Sequence, residues 1–273
     1  MIDQEMAGKV AIVTGGGRLR SIGRATAVAL AEWGCDVVVT GTGRDPKTLP
    51  PDEQATGWRD IDSTAEQVRT LGRRCLPIVV DITDEASVQR LADHTKAEFG
   101  RIDILVNNAA FARGEDRVPA VHMKPDLFWQ VLKVKIFGSF LCVKAVAPVM
   151  IDAGRGGSIV NLSSNAAPRG TINTSAYAAA NGGIESATRS WARELAQHNI
   201  RVNAVRPGPI DTSRMDDWGR GDRWENYIKT TVPLGRPGTD EDVGRFIALV
   251  CTRDMAYVTG QCMTIDGGAV MWA

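Results

Sequence analysis

Long apolar runs are missing from this sequence. No stretch approaches eighteen consecutive apolar residues, and the N-terminal M-I-D-Q-E-M-A-G-K carries no apolar signal segment. A soluble, cytoplasmic protein with no membrane partner is the expectation. No charge of one sign is in excess either: 32 Lys and Arg balance 32 Asp and Glu for a formal net charge of zero. That balance argues against a nucleic-acid footprint or a basic membrane-binding face. Cysteine is scarce and unpatterned. Cys35, Cys75, Cys142, Cys251 and Cys262 form no C-x-x-C pair and make an odd total, so they read as buried thiols of a reducing compartment. His94, His122 and His198 show no ligand spacing, and no metal is expected. Internal repeats, low-complexity tracts and any linker between two halves are absent as well.

What is present is an alternation of short apolar strands with helical patterns, which argues for a parallel sheet covered by helices on both faces. Strands are expected at 10–14, 37–40, 76–80, 104–106, 158–162, 201–205 and 263–265, and helices at 24–33, 64–71, 125–151 and 176–198. A segment rich in Pro, Gly and charge, 43–63, delays the second helix. The fold class is therefore α/β, a doubly wound parallel sheet of the Rossmann type, forming a single domain over residues 1–273. A chain of this length buries roughly three quarters of its extended surface and needs no staples. Its ligand site belongs at the carboxyl ends of the strands, near the topological switch point.

Three motifs carry chemistry. V-A-I-V-T-G-G-G-R-L-R-S-I-G-R-A places glycines between a strand and a helix, where only glycine lets the backbone approach a pyrophosphate and the helix N-terminus adds amide donors. N-N-A follows the fourth strand at Asn107, Asn108 and Ala109. S-S-N-A-A-P-R-G-T-I-N-T-S-A-Y-A-A-A-N sets Ser164 thirteen positions before Tyr177, the arrangement of a Ser/Tyr proton-transfer pair. Together these resemble the short-chain dehydrogenase/reductase family, from Lys9 to the closing I-D-G-G at 265–268.

The resemblance implies a cofactor site of Gly15, Ser21, Ile22 and Gly23 in the loop and Asp81 and Ile82 at the adenine. Asn108, Ala109 and Tyr177 belong to it too, and Pro207, Gly208, Ile210 and Thr212 cup the nicotinamide carboxamide. The loop departs from the family's T-G-x-x-x-G-x-G: Ser21 stands for the middle glycine, and the segment before it is two residues longer. Such a loop is similar to that of the enoyl-reductase branch, but that branch spaces its tyrosine and lysine seven apart, and seven beyond Tyr177 is Ile184. At the end of the second strand Gly41 stands where an acid would bind the ribose of NAD. Arg44, with Arg18 or Arg20, could instead bind a 2′-phosphate. NADP is the expected cofactor, with NAD as the alternative.

A carbonyl reductase needs a proton donor at the carbonyl oxygen. A free tyrosine, with a pKa near ~10, cycles more easily between phenol and phenolate beside a fixed cation. The family supplies that cation as a lysine four residues after the tyrosine, where this chain has Asn181. The family's asparagine, in an N-x-x-G segment of the long central helix, falls on Lys135. Both residue types are present with places exchanged. The resemblance thus implies Ser164 polarising the substrate oxygen, Tyr177 as acid/base, Lys135 as the ammonium and Asn181 in a neutral hydrogen-bonding role. The competing reading of the exchange is a partly exposed Lys135 and a relic Asn181.

Trp218, Trp224 and Tyr227 lie in the segment 209–232, where the family carries its substrate lid. They suit an apolar substrate or a loop packed onto the body. Phe111, Arg113 and Arg169 could line the entrance. The expected function is hydride transfer between NADP(H) and a carbonyl or secondary alcohol of a small molecule. The alternative is a catalytically impaired dinucleotide-binding regulator or scaffold. A homo-oligomer, tetramer or dimer, is implied by the resemblance alone.

Overall fold

The computed structural model describes residues 4–271. Its centre is a seven-stranded parallel sheet formed by β1 (Val10–Val13), β2 (Asp36–Gly41), β3 (Cys75–Val79), β4 (Ile104–Asn107), β5 (Gly157–Leu162), β6 (Ile200–Pro207) and a last strand, Cys262–Ile265. The spatial order is β3-β2-β1-β4-β5-β6 and then the last strand. The chain winds outward from β1 to β3, returns to lay β4 beside β1, and winds outward again. The switch point therefore falls between β1 and β4.

Alternation along each strand sends side chains to two cores. Ala11, Val13, Ile104, Val106, Val160 and Leu162 face one, where α1 (Ile22–Glu32), α3 (Ile61–Thr70) and α10 (Asp240–Val250) pack. Ile12, Leu105 and Ile159 face the other, against α4 (Glu85–Phe99) and α6 (Gly138–Ala153). Strands buried on both faces read as unbroken apolar runs, which is why they stand out in the sequence. Pro77 lies in β3, which pairs only with β2, as suits a residue without an N–H.

Six short or polar elements escape the periodicity. The polar helix α4 is one. The segment expected as an irregular insert contains a short helix, α2 (Pro51–Ala55). The segment 209–232 holds β7 (Ile210–Asp211), a 3-10 turn over Ser213–Trp218 and α9 (Asp222–Thr231). A two-residue strand β8 (Gly238–Thr239) pairs with β7, and the last strand is accordingly β9. The central helix is also not one regular helix: α5 (Pro125–Leu132) and α6 are joined by a π turn over Lys133–Phe137. The span Pro125–Ala153 is long and apolar enough to cross a membrane by length and composition, yet 56% of its apolar window is buried inside the fold. The remaining pair of helices, α7 (Ala166–Arg169) and α8 (Ser175–Leu195), follows β5.

α1 and α10 approach each other closely at Gly244. A Cβ there would lie 2.6 Å from the Ala25 carbonyl carbon and 2.8 Å from the Thr26 nitrogen. Both are helix backbone and cannot swing away, so Gly244→Ala is expected to lower stability by about 1–3 kcal/mol. In α8, Gly182→Ala meets nothing within 4 Å and is expected to raise stability by up to about 1 kcal/mol. Urea denaturation midpoints of the two variants check the contrast.

Candidate active site

The glycine loop starts where β1 ends. Thr14 Oγ1 accepts the backbone N–H groups of Asn108 and Ala109, both at 3.1 Å. The Asn108 side-chain amide donates to the carbonyls of Thr14 and Gly15 at 2.8 and 2.9 Å. The first residues after β4 therefore brace the loop at the switch point. At its far end Ser21 caps α1, its Oγ accepting the Arg24 N–H at 3.2 Å. Gly23 lies under the loop: a Cβ there would meet the Gly15 oxygen at 2.5 Å, so any larger residue would push the loop off the helix.

The loop's extra length is held by the 43–63 insert. Glu53, fully buried, accepts from the Arg18 guanidinium at 2.8 and 3.0 Å and from the Leu19 N–H at 3.0 Å. The Trp58 indole donates to the Gly17 carbonyl at 2.6 Å, and the Thr64 hydroxyl, one turn into α3, to the Gly16 carbonyl at 2.7 Å. The long loop and the insert are two parts of one device.

Above this brace lies a cleft of about 510 Å³. It is lined by Gly15, Arg18, Arg20, Ser21, Ile22, Arg44, Asp81, Ile82, Asn108, Ala109 and Thr212 of the expected cofactor residues. A glycine turn opening onto a helix N-terminus, in a cleft of this size, fits a dinucleotide. Gly23, Tyr177, Pro207, Gly208 and Ile210 are not on its wall. Gly23 underlies the loop, and Ile210 is buried. The Gly208 N–H donates to the Ile265 carbonyl at 3.0 Å.

The three arginines expected to hold a 2′-phosphate are already partnered. Arg18 holds Glu53, and Arg20 reaches Asp52, Asp211 and Asp216 at 3.2, 3.3 and 2.8 Å. Arg44 meets Asp60 at 3.3 Å, and the Arg44 N–H donates to the same carboxylate at 3.1 Å. Asp60 sits at φ 48°, a conformation that a non-glycine residue keeps only where its surroundings fix it. Its carboxylate fills the space beside Gly17 and Gly41: a Cβ on Gly41 would lie 3.2 Å from Asp60 Oδ2. Asp60 thus stands behind Gly41, buried and off the cleft wall.

At the opposite end of the cleft, Lys135, Tyr177, Asn181 and Arg214 line one small void of about 10 Å³, the size of a single water molecule. Tyr177 comes from the first turn of α8 and Asn181 from the next turn, and Lys135 comes from the π turn. π turns insert a residue and re-aim the side chains around it. Lys135 is only 5% exposed, which corrects the reading of it as a partly exposed helix lysine. Among the described residues its ammonium has no hydrogen bond or carboxylate partner. Burial, and then the Arg214 charge, push it down to about 7. Asn181 is buried as well. Its amide donates to the Tyr177 carbonyl at 2.8 Å, and its Oδ1 is buried without a partner. Lys135 and Asn181, whose Oδ1 lacks a donor, thus line the same void as Tyr177.

Ser164 follows β5 and is buried, its Oγ accepting the Ala166 N–H at 3.2 Å. Beside it, the Ser163 hydroxyl donates to Glu185 at 2.6 Å, and Glu185 is held in two 2.6 Å bonds by Arg206. This ties the loop after β5 to α8 and β6.

Sequence reasoning missed two arginines. The Arg117 and Arg214 guanidinium carbons lie 4.2 and 5.2 Å from the Tyr177 ring centroid. Arg214 stands two residues beyond the P-G-x-x-x-T segment, a signal that could have found it; nothing local marks Arg117. Trp218, Trp224 and Tyr227 pack on one another with ring centroids 5.0 to 6.2 Å apart. Arg169, in α7, lines neither cavity.

A family model described as enoyl-(acyl carrier protein) reductase matches residues 16–270. Ile184, where that branch would place its lysine, is fully buried. The chain is 34% identical over 266 residues to a 3-oxoacyl-[acyl-carrier-protein] reductase of Thermotoga maritima, covering 97% of this chain and 99% of that one. It is also 34% identical over 263 residues to a 2-dehydro-3-deoxy-D-gluconate 5-dehydrogenase of Escherichia coli, covering 96% of each. The structure of a carveol dehydrogenase of Mycobacterium avium in complex with NAD superposes with a TM-score of 0.85 at 28% identity, covering 97% of this chain and 98% of that one. With the sheet order, the braced glycine loop and the Ser/Tyr spacing, these likenesses place the chain in the short-chain dehydrogenase/reductase family, as an NAD(P)-dependent oxidoreductase of small molecules.

Proposed function

We propose that the protein interconverts a carbonyl and a secondary alcohol on a small molecule, with Tyr177 as general acid/base and Ser164 polarising the substrate oxygen. The bound nicotinamide supplies or accepts the hydride. The Tyr177 phenol gives its proton to the carbonyl oxygen in reduction and recovers it in the reverse direction. The Lys135 ammonium favours the phenolate electrostatically, and the Asn181 Oδ1 accepts from that ammonium through one water in the void. The observation that carries this reading is the shared void, lined by Lys135, Tyr177 and Asn181, with the Asn181 Oδ1 buried and unpartnered beside it. The segment 209–232, with its packed aromatic cluster, serves as the cover over the substrate.

We infer NADP(H) as the preferred cofactor, resting on Arg44 alone. Arg18 and Arg20 are committed to Glu53 and to three aspartates. Arg44 is 41% exposed at its side chain and has only Asp60 beside it, which leaves donors for a 2′-phosphate. Arg44→Ala is therefore expected to weaken NADPH binding roughly 10–100-fold while leaving NADH binding nearly unchanged. Equal loss for both cofactors, measured by nicotinamide fluorescence titration, would contradict this.

Lys135→Met gives a paired expectation. Turnover of a ketone panel, followed by nicotinamide absorbance, falls by about 10²–10⁴. Stability moves the other way, because methionine removes a buried charge with no counter-ion, a change that stabilises by about 1–4 kcal/mol in comparable cases. The sign with pH follows from the shift from 10.5 to about 7. Above about 10.5 the lysine is neutral in both states and costs nothing; the charging penalty grows as pH falls and is complete below about 7. The urea midpoint of the variant should exceed that of the parent at pH 6, and the margin should vanish toward pH 10. Full activity in Lys135→Met would refute the assignment.

A further inference from the structure

Tyr177 stands among more positive charge than its surroundings neutralise. Four cations belong to this corner: Lys135, Arg113, Arg117 and Arg214. Arg117 is paired with the fully buried Asp116 at 2.9 Å, and Arg113 with Asp217. Lys135 and Arg214 have no carboxylate within ion-pair distance among the described residues. The one hydrogen bond of the Arg214 guanidinium goes to a neutral group, the Phe111 carbonyl, at 2.7 Å. The charges also act on one another. Arg113 is lowered from its ordinary value by burial and then by Arg117 and Arg214. Arg117 is lowered by burial and by Arg214, against the pull of Asp116.

Half-buried cations that repel each other are costly unless an anion arrives. This accumulation is local. The arginines of the adenine end are matched by acids one for one or better, and the chain as a whole has no net charge. Arg214 also lies on the wall shared by the void at Tyr177 and the large cleft, so an anion there would sit within a few bonds of a carbonyl held against the tyrosine.

We propose that the substrate is an oxo acid or hydroxy acid whose carboxylate is bound by the Arg214 guanidinium, with Arg113 and Arg117 adding attraction around it. The proposal rests on Tyr177 acting on a carbonyl, as set out above. Arg214 offers the planar donor pair that matches a carboxylate, and Lys135 remains the ammonium for the tyrosine. Two uncompensated cations thus serve two different anions, the substrate carboxylate and the phenolate.

The test compares acids with their uncharged esters on the NADP⁺-loaded protein at fixed ionic strength. Calorimetric titration with pyruvate and acetoacetate, and with their methyl esters, is expected to show each acid binding at least about tenfold more tightly than its ester. Arg214→Gln should erase that margin while NADP⁺ affinity stays within about twofold, as expected if the guanidinium serves substrate and not cofactor. Equal binding of acid and ester would overturn the proposal. So would an Arg214→Gln variant that loses NADP⁺ affinity and keeps the margin, since the guanidinium would then serve a cofactor phosphate. Turnover assays separate this from the broader reading. Reduction of neutral ketones with no acid–ester margin sinks the carboxylate site alone. A clear margin lost in Arg214→Gln, with no carbonyl reduced, supports the site and sinks the reductase reading.

Discussion

A lysine ammonium enclosed by protein, with no carboxylate to balance it among the described residues, is the constraint around which the reactive end of this molecule is arranged. Leaving such a charge uncompensated costs several kcal/mol, and a fold selected for stability alone would place an apolar residue there. The surrounding architecture keeps it. The π turn between α5 and α6 aims Lys135 at α8, and α8 presents Tyr177 and Asn181 from successive turns. The Asn181 amide is turned so that its N–H satisfies the helix and its oxygen stays buried and unpaired. Under the proposed function, the asparagine in the lysine's usual place serves as an acceptor for the donor that comes from the other helix, and the exchange reverses which element supplies the charge.

The cofactor end obeys the opposite rule. Each cation there is matched by an acid, and most of those acids come from the insert between β2 and α3. Glu53, Trp58, Asp60 and Thr64 together hold the lengthened glycine loop in place. A neutralised and tightly hydrogen-bonded nucleotide cradle adjoins a reactive corner with positive charge in excess. Such an electrostatic contrast along one cleft favours one orientation of a charged ligand.

The parallel sheet was legible because β1, β4 and β5 are buried on both faces and read as unbroken apolar runs between glycine-rich turns. That Lys135, Tyr177 and Asn181 meet at one void was legible because their spacing is local, or lies in a recognisable segment of a neighbouring helix. What stayed hidden depends on contacts between distant parts of the chain. Asp60 behind Gly41 stayed hidden because it arrives from nineteen residues further on. Arg18 and Arg20 looked free because Glu53, Asp52, Asp211 and Asp216 lie far away in sequence. α4 carries too many polar residues to stand out by periodicity, and a π turn leaves no mark in a pattern whose period it shifts by a fraction of a residue. Arg117 and Arg214 gather at Tyr177 only once the segments after β4 and β6 fold over the same strand ends.

The central claim is that Lys135 and Asn181 have traded places with their function intact, and exchanging them back tests it most directly. kcat/KM is measured for Lys135→Asn, Asn181→Lys and the double variant on one carbonyl substrate. The account predicts that Lys135→Asn loses about 10²–10⁴ and that adding Asn181→Lys restores activity to within about tenfold of the parent, a strongly non-additive cycle. A double variant no better than Lys135→Asn alone, with cofactor still bound, would contradict it.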